Sequence, residues 1–208
     1  MTIVVHHLEN SRSQRVLWLL EELGLPYQVR RYLRDKRTML APPELKGIHP
    51  LGKSPLIEDD GEVVAETGAI VEYLVEKAAG RLGAPAEREG ALIYRHLLHY
   101  AEGSLMPPLL VNLVLARIPL FGKAGLRKFR PMVDVHLGYV EAQLTQRPWF
   151  AGGEFTAADV MMSFPLEAAA ARADARQGRP RLSAWLDRIH ARPGYQAALR
   201  AGGPYAYA

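Results

Sequence analysis

Cysteine is absent from the chain. Disulfides, cysteine metal ligands and any mechanism that runs through a protein thiol are excluded with it. There is no run of about 18 or more apolar residues, so no segment reads as a membrane span. The opening Met1-Thr2-Ile3-Val4-Val5-His6 has neither the basic head nor the long apolar stretch of a secretory signal. A cytoplasmic location with no membrane partner is the expectation. No metal set is visible: His6-His7 and the i, i+3 pair His96/His99 have no matching acids to complete one. A strong excess of one charge is lacking too: 26 Lys and Arg against 22 Asp and Glu leave a net +4 at pH 7. Arg30, Arg31, Arg34, Lys36 and Arg37 form the one basic cluster, without a nucleic-acid recognition motif, and read as solvated strand and loop. What remains is ordinary for a soluble protein: 208 residues, 49% apolar and 23% charged, enough for one large domain or two small ones.

The first eighty residues mix strand and helix signals. Ile3-Val4-Val5 reads as a buried strand. Ser11 followed by Gln14 fits a capping box, and Val16, Leu17, Leu19, Leu20 and Leu23 fall on one face of the helix it would open. Gly24 and Pro26 stop that helix. Tyr27 to Tyr32 reads as a second strand, and Pro42-Pro43 starts a short helix or turn. Pro55 to Ile57 and Val63 to Ala65 flank Asp59-Asp60-Gly61, a hairpin signal. Thr67 suits the N-cap of a helix with Ile70, Val71, Leu74, Val75 and Ala78 inside. The order β-α-β-α-β-β-α, with a proline just before the third strand, is the thioredoxin-like arrangement without its cysteine pair.

Gly80, Gly83 and Pro85 mark a linker, after which strand signals vanish. Helices are expected over about 87–115, bent by Pro107-Pro108, then 126–144, 180–191 and 194–200. Phe155-Thr156-Ala157-Ala158-Asp159-Val160 is a helix start: Thr156 caps, Asp159 is the acid three residues on, and Phe155 with Val160 makes a hydrophobic staple. Asp159 is therefore structural. The predicted division is 1–80 thioredoxin-like, 81–86 linker and 87–208 all-helical.

One segment, Gly52-Lys53-Ser54-Pro55 through Glu66-Thr67-Gly68-Ala69-Ile70, carries the chemistry. The Ser54-Pro55 bond can be held cis at low cost. A proline entering a strand leaves neighbouring backbone groups for a ligand. The helix N-terminus at Thr67 offers unpaired N–H groups to an anion. Together these read as a site that grips a peptide.

A thioredoxin-like half joined to a helical half resembles the cytosolic glutathione transferases over nearly the whole chain. The resemblance rests on Ser11 through Leu23, His49-Pro50-Leu51-Gly52-Lys53-Ser54-Pro55-Leu56-Ile57, Glu66-Thr67-Gly68-Ala69-Ile70 and Phe155-Thr156-Ala157-Ala158-Asp159, in that order and spacing. Asn10-Ser11-Arg12-Ser13 resembles the bacterial and fungal members with serine or asparagine at the active position. The resemblance implies glutathione as co-substrate, no metal, an electrophilic apolar second substrate and a homodimer. It implies that Glu66 and Thr67 hold the γ-glutamyl end and that the backbone of Ser54, before Pro55, pairs with the cysteinyl part. Lys53 matches a position that meets the glycyl carboxylate. Many members carry an earlier basic or amide residue where this chain has Leu40 and Ala41, so Arg37 or Lys46 stands in for it. Ser11 is the candidate catalytic residue, a hydrogen-bond donor to the thiolate, with Ser13 and Asn10 as the other candidates. Leu8, Met106 and Leu110 are expected to wall the second substrate. A glutathione-dependent peroxidase or isomerase, or a non-catalytic glutathione-binding module, would fit the same scaffold.

Overall fold

The structure, a computed structural model, describes residues 2–208. In chain order its elements are β1 (Ile3–Leu8), α1 (Ser13–Leu23), β2 (Tyr27–Tyr32), a 3-10 turn (Pro43–Gly47), β3 (Leu56–Asp59), β4 (Glu62–Ala65), α2 (Thr67–Lys77), α3 (Arg88–Tyr100), a π-helical stretch (Ala101–Leu105), α4 (Met106–Ala116), α5 (Gly122–Gln146), α6 (Ala157–Arg172), α7 (Pro180–His190) and α8 (Pro193–Gly202). They form two compact units. One holds the chain up to Gly83 with His190–Ala206, and the other holds Ala84–Ile189. Among the described residues no helix is long and apolar enough to cross a membrane.

The first unit is thioredoxin-like, as its element order predicts. Its sheet runs β2-β1-β3-β4, with β1 and β2 parallel and the other pairs antiparallel. A parallel pair needs a crossover, which α1 supplies. The β3–β4 hairpin turns at Asp60 (φ 51°) and Gly61 (φ 86°), two left-handed residues in the two-residue loop that the Asp-Gly pair signals. Alternation along β1 sends His6 and His7 to opposite faces of the sheet. The first bonds Tyr32 and Glu58 on the neighbouring strands, and the second faces Ser13.

Three local expectations are corrected here. The Ser11–Gln14 capping box does not form. α1 begins at Ser13, the Ser11 hydroxyl accepts from the Ser13 amide at 3.2 Å, and Gln14 is buried. α1 is also buried nearly all round, not on one face, because α8 covers its other side. Finally, Glu66 takes the N-cap position and Thr67 is the first helical residue of α2.

The placement of α8 departs from the division 1–80, 81–86 and 87–208. It packs on α1: the Trp18 ring meets Tyr195 edge-on at 5.2 Å, and Arg192 grips Glu22 through two bonds of 2.7 Å. The approach is close enough to require glycine. A Cβ on Gly202 would lie 2.7 Å from Gln14 Oε1 and 2.9 Å from Leu17 Cδ1.

In the second unit α3 passes through the π-helical stretch into α4, so the single helix expected over 87–115 is interrupted just ahead of Pro107 and Pro108. α4 packs on α5, and α3 on α6. The α6 capping box is complete. Asp159 accepts from the backbone amides of Thr156 and Phe150 and from Trp185 Nε1, each at 3.1 Å. Burial nevertheless outweighs those donors and lifts its carboxyl to about 6. The acid is structural: one side chain ties the helix start to the loop before it and to α7.

Candidate functional site

The carboxyl end of β1, the start of α1 and the loop before β3 meet at the Leu8 amide. That N–H lies 3.2 Å from Ser13 Oγ and 3.3 Å from Ser54 Oγ. Ser54 Oγ in turn donates to the His6 carbonyl at 2.8 Å. The Ser54 hydroxyl is thus committed to the fold, and what Ser54 offers a ligand is its backbone. The Ser54–Pro55 bond is cis. Two motifs some forty residues apart in sequence are therefore brought to one point.

Ser11 sits at the outer end of a chain of polar groups. Its Oγ is 2.7 Å from Ser13 Oγ, and Ser13 Oγ is 2.9 Å from His7 Nδ1. Ser13 is wholly buried and engaged on several sides, whereas Ser11 keeps a small exposed fraction. Burial, then the positive field of Arg31, lower the His7 ring to about 4, so it is neutral near pH 7. Asn10 stands beside Ser11 in a left-handed conformation (φ 48°), and its Oδ1 accepts from the Ala206 amide at 2.7 Å. The closing tail thus holds the loop that carries Ser11.

The α2 start has the form of an anion cradle. Glu66 is held at φ 71°, ψ 127°, a backbone region that L-residues rarely adopt, and its side chain makes no capping bond. Thr67 is buried directly after it. The first amides of this eleven-residue helix take no side-chain cap, and its first turn carries no acid.

Lys53 is exposed on the loop before the proline. Of the two proposed substitutes for the missing basic position, Lys46 lies against this loop: a Cβ on Gly52 would come 2.7 Å from its Cγ. Arg37 lies in a separate turn that Asp35 closes by accepting from the amides of Arg37 and Thr38.

Leu8 is buried at the end of β1, with 4% exposure, and offers little wall to a second substrate. In the second unit Met106 and Leu110 do line a common cavity, with Leu109, Leu113 and Arg172, but its free volume is only about 30 Å³.

The structure adds residues that the sequence reading passed over. Arg34, grouped with the solvated cluster, reaches the carbonyls of Glu9 and Asn10 and takes Glu9 Oε1 on its own amide at 2.7 Å. His7, weighed in sequence only as half of a metal pair, bonds Ser13, and Ala206, in a tail read as a cover for the second-substrate pocket, bonds Asn10. No local motif marks the contacts of Arg34 and Ala206, since each reaches a neighbour that is distant in sequence.

Residues 11–77 match the family model for the glutathione S-transferase N-terminal domain, and residues 124–188 match that for the C-terminal domain. The chain is 35% identical to glutathione S-transferase 3 of Schizosaccharomyces pombe, covering 94% of this chain and 86% of that protein. It is 33% identical to glutathione S-transferase 1 of Saccharomyces cerevisiae, covering 94% and 93%. Among solved structures it is similar to a glutathione S-transferase from Actinobacillus pleuropneumoniae, with a TM-score of 0.88, 30% identity and coverage of 99% and 94%.

Proposed function

The chain belongs to the glutathione S-transferase family, and on that premise we propose that it binds glutathione on the first unit, holds the sulfur as a thiolate with Ser11, and adds it to an apolar electrophile. The observation that carries the reading is the Leu8 amide, shared between Ser13 and Ser54. It sets the start of α1 beside the loop that would pair with the cysteinyl part of the ligand.

Each piece of glutathione then has a partner. The γ-glutamyl carboxylate takes the amides and hydroxyl at Thr67, where the α2 dipole favours an anion, and its ammonium takes Glu66. The cysteinyl backbone pairs with that of Ser54 in the manner of an added strand. Lys53 and Lys46 meet the glycyl carboxylate. An ordinary thiol titrates at about 8.5. Lowering it by about 2 units takes roughly 2.7 kcal/mol, which a hydroxyl donor and the α1 N-terminus supply together. Ser11 keeps its proton, and the thiol proton leaves to solvent. Ser11 is favoured over Ser13, which is engaged on the inside, and Asn10, whose amide N–H remains the alternative donor, is tied through its oxygen to the Ala206 amide. We also propose a homodimer, supported by Leu92, Met132 and Val135, which are exposed on α3 and α5.

The test is retention on immobilised glutathione followed by turnover of an aryl halide. The reading expects both, with Ser11→Ala lowering kcat about a hundredfold at unchanged retention. Retention without turnover would favour a binding module, and turnover of a hydroperoxide alone would favour a peroxidase.

A further inference from the structure

Behind Ser11 lie two polar side chains, Ser13 and His7, that are buried to 2% exposure or less and that contact with glutathione does not explain. The direction of the protons along this chain follows from its inner end. His7 makes a hydrogen bond to the Gly202 backbone that favours the charged ring. A bond of that sign is to an acceptor, so a ring N–H donates to the Gly202 carbonyl. Nδ1 faces Ser13, hence Nε2 is the donor, and in the neutral ring Nδ1 accepts. The Ser13 proton therefore points inward to Nδ1 at 2.9 Å, closer than its other acceptor, the Leu8 carbonyl at 3.2 Å. The Ser13 oxygen accepts from the Leu8 amide and from the Ser11 hydroxyl at 2.7 Å.

Two hydroxyl oxygens 2.7 Å apart need one proton between them. In the empty site that proton is Ser11's. Once Ser11 turns its proton to a thiolate, only Ser13 can supply the shared one. We propose that Ser13 is a second donor in series with Ser11: when the thiolate binds, the Ser13 hydroxyl turns from His7 Nδ1 to the Ser11 oxygen, and His7 is the resting acceptor it leaves. This rests on Ser11 as the thiolate's donor. No covalent bond changes, since each hydroxyl rotates with its own proton. A donor that itself accepts a hydrogen bond is polarised and donates more strongly. The backbone already supports the bound arrangement: the Leu8 amide stays on the Ser13 oxygen and the Ser13 amide stays on the Ser11 oxygen. Ser13 is thus a positioning residue, and His7 sets the state from which it is released.

The experiment is a double-mutant cycle read as the pH profile of kcat/KM for the electrophile at saturating glutathione, which reports the thiol of the binary complex, using the full-length wild type, Ser11→Ala, Ser13→Ala and the double variant. Ser13→Ala is expected to raise the apparent pKa of the bound thiol by about 1 unit, a tenfold loss of thiolate at low pH. Ser11→Ala is expected to raise it by about 2 units, with no further shift in the double variant. Equal shifts from Ser13→Ala in both backgrounds, or no shift in either, overturn the proposal and leave Ser11's role standing. An unshifted profile in Ser11→Ala overturns the functional reading itself, and this inference with it. A second measurement needs no substitution in the site. In the wild-type protein labelled with 15N-histidine, saturating glutathione is expected to move the His7 Nδ1 resonance toward that of an unbonded ring nitrogen while Nε2–H stays put. A stationary Nδ1 resonance contradicts the proposal.

Discussion

Arg192 Nε and Nη2 meet the two carboxylate oxygens of Glu22 at 2.7 Å each, across 170 positions of sequence. The pair is mostly shielded, with the Glu22 side chain 11% exposed, and Trp18 Nε1 adds a third donor to the same carboxylate at 2.8 Å. A bidentate guanidinium–carboxylate pair of this kind is worth more than a surface ion pair. It fixes α8 on α1, whose amino end carries the candidate site.

Arg192→Ala is therefore expected to cost about 1–3 kcal/mol, because it leaves a shielded carboxylate short of its charged partner. Urea unfolding of the variant against wild type checks this. A chain cut before Pro193 is expected not to fold, since it exposes Trp18 and the apolar side of α1.

Asp159→Ala is expected to cost about 2–4 kcal/mol. It removes an N-terminal cap partner and strands the Phe150 amide and the Trp185 indole N–H inside the second unit. Denaturant unfolding followed by tryptophan fluorescence reads the loss.

Stability is expected to vary with pH through His7. The unfolded ring takes its proton near 6.5, but the folded ring, buried and facing Arg31 on β2, Ser13 on α1 and the Gly202 carbonyl on α8, takes it only near 4. Between those values the unfolded chain binds the extra proton, so this contribution falls as pH drops from 6.5 toward 4. Asp159 acts with the opposite sign between 3.8 and about 6, where the folded state binds more protons. Comparison of wild type with His7→Asn isolates the first effect. Relative to the variant, wild type is expected to lose roughly 2 kcal/mol between pH 7 and pH 4.5. A constant difference across that range would contradict the assigned protonation.

At the α2 start, Thr67→Val keeps the shape and removes the hydroxyl, and Glu66→Ala removes the carboxylate. A hydrogen bond to a charged group is worth about 1.5–3 kcal/mol, so each substitution is expected to weaken glutathione about ten- to a hundredfold in calorimetric titration. kcat at saturating glutathione is expected to stay within a few-fold of wild type.

Local rules carried much of the fold into the sequence. Asp60-Gly61 encodes the β3–β4 turn by the backbone freedom those residues allow, and Thr156 with Asp159 encodes the α6 start by reciprocal hydrogen bonds. The same Ser-x-x-Gln logic fails at Ser11 because Gln14 is drawn against Gly202, 188 residues onward, an approach that no local pattern records. α8 is amphipathic in sequence, but a periodic stripe names no partner. The site was legible where it depends on backbone devices, the proline at 55 and the helix start at 67. It was opaque where side chains meet from far apart, as with Arg34 on the loop of Glu9 and Asn10.

The central claim is that the Ser11 hydroxyl stabilises the anionic sulfur of bound glutathione. Spectrophotometric titration of the thiolate in the binary complex tests it most directly. The account predicts a wild-type midpoint about 2 units below that of an ordinary thiol, and a midpoint in Ser11→Ala that returns to the free value while glutathione remains bound. A Ser11→Ala complex that still titrates at the wild-type midpoint would contradict it.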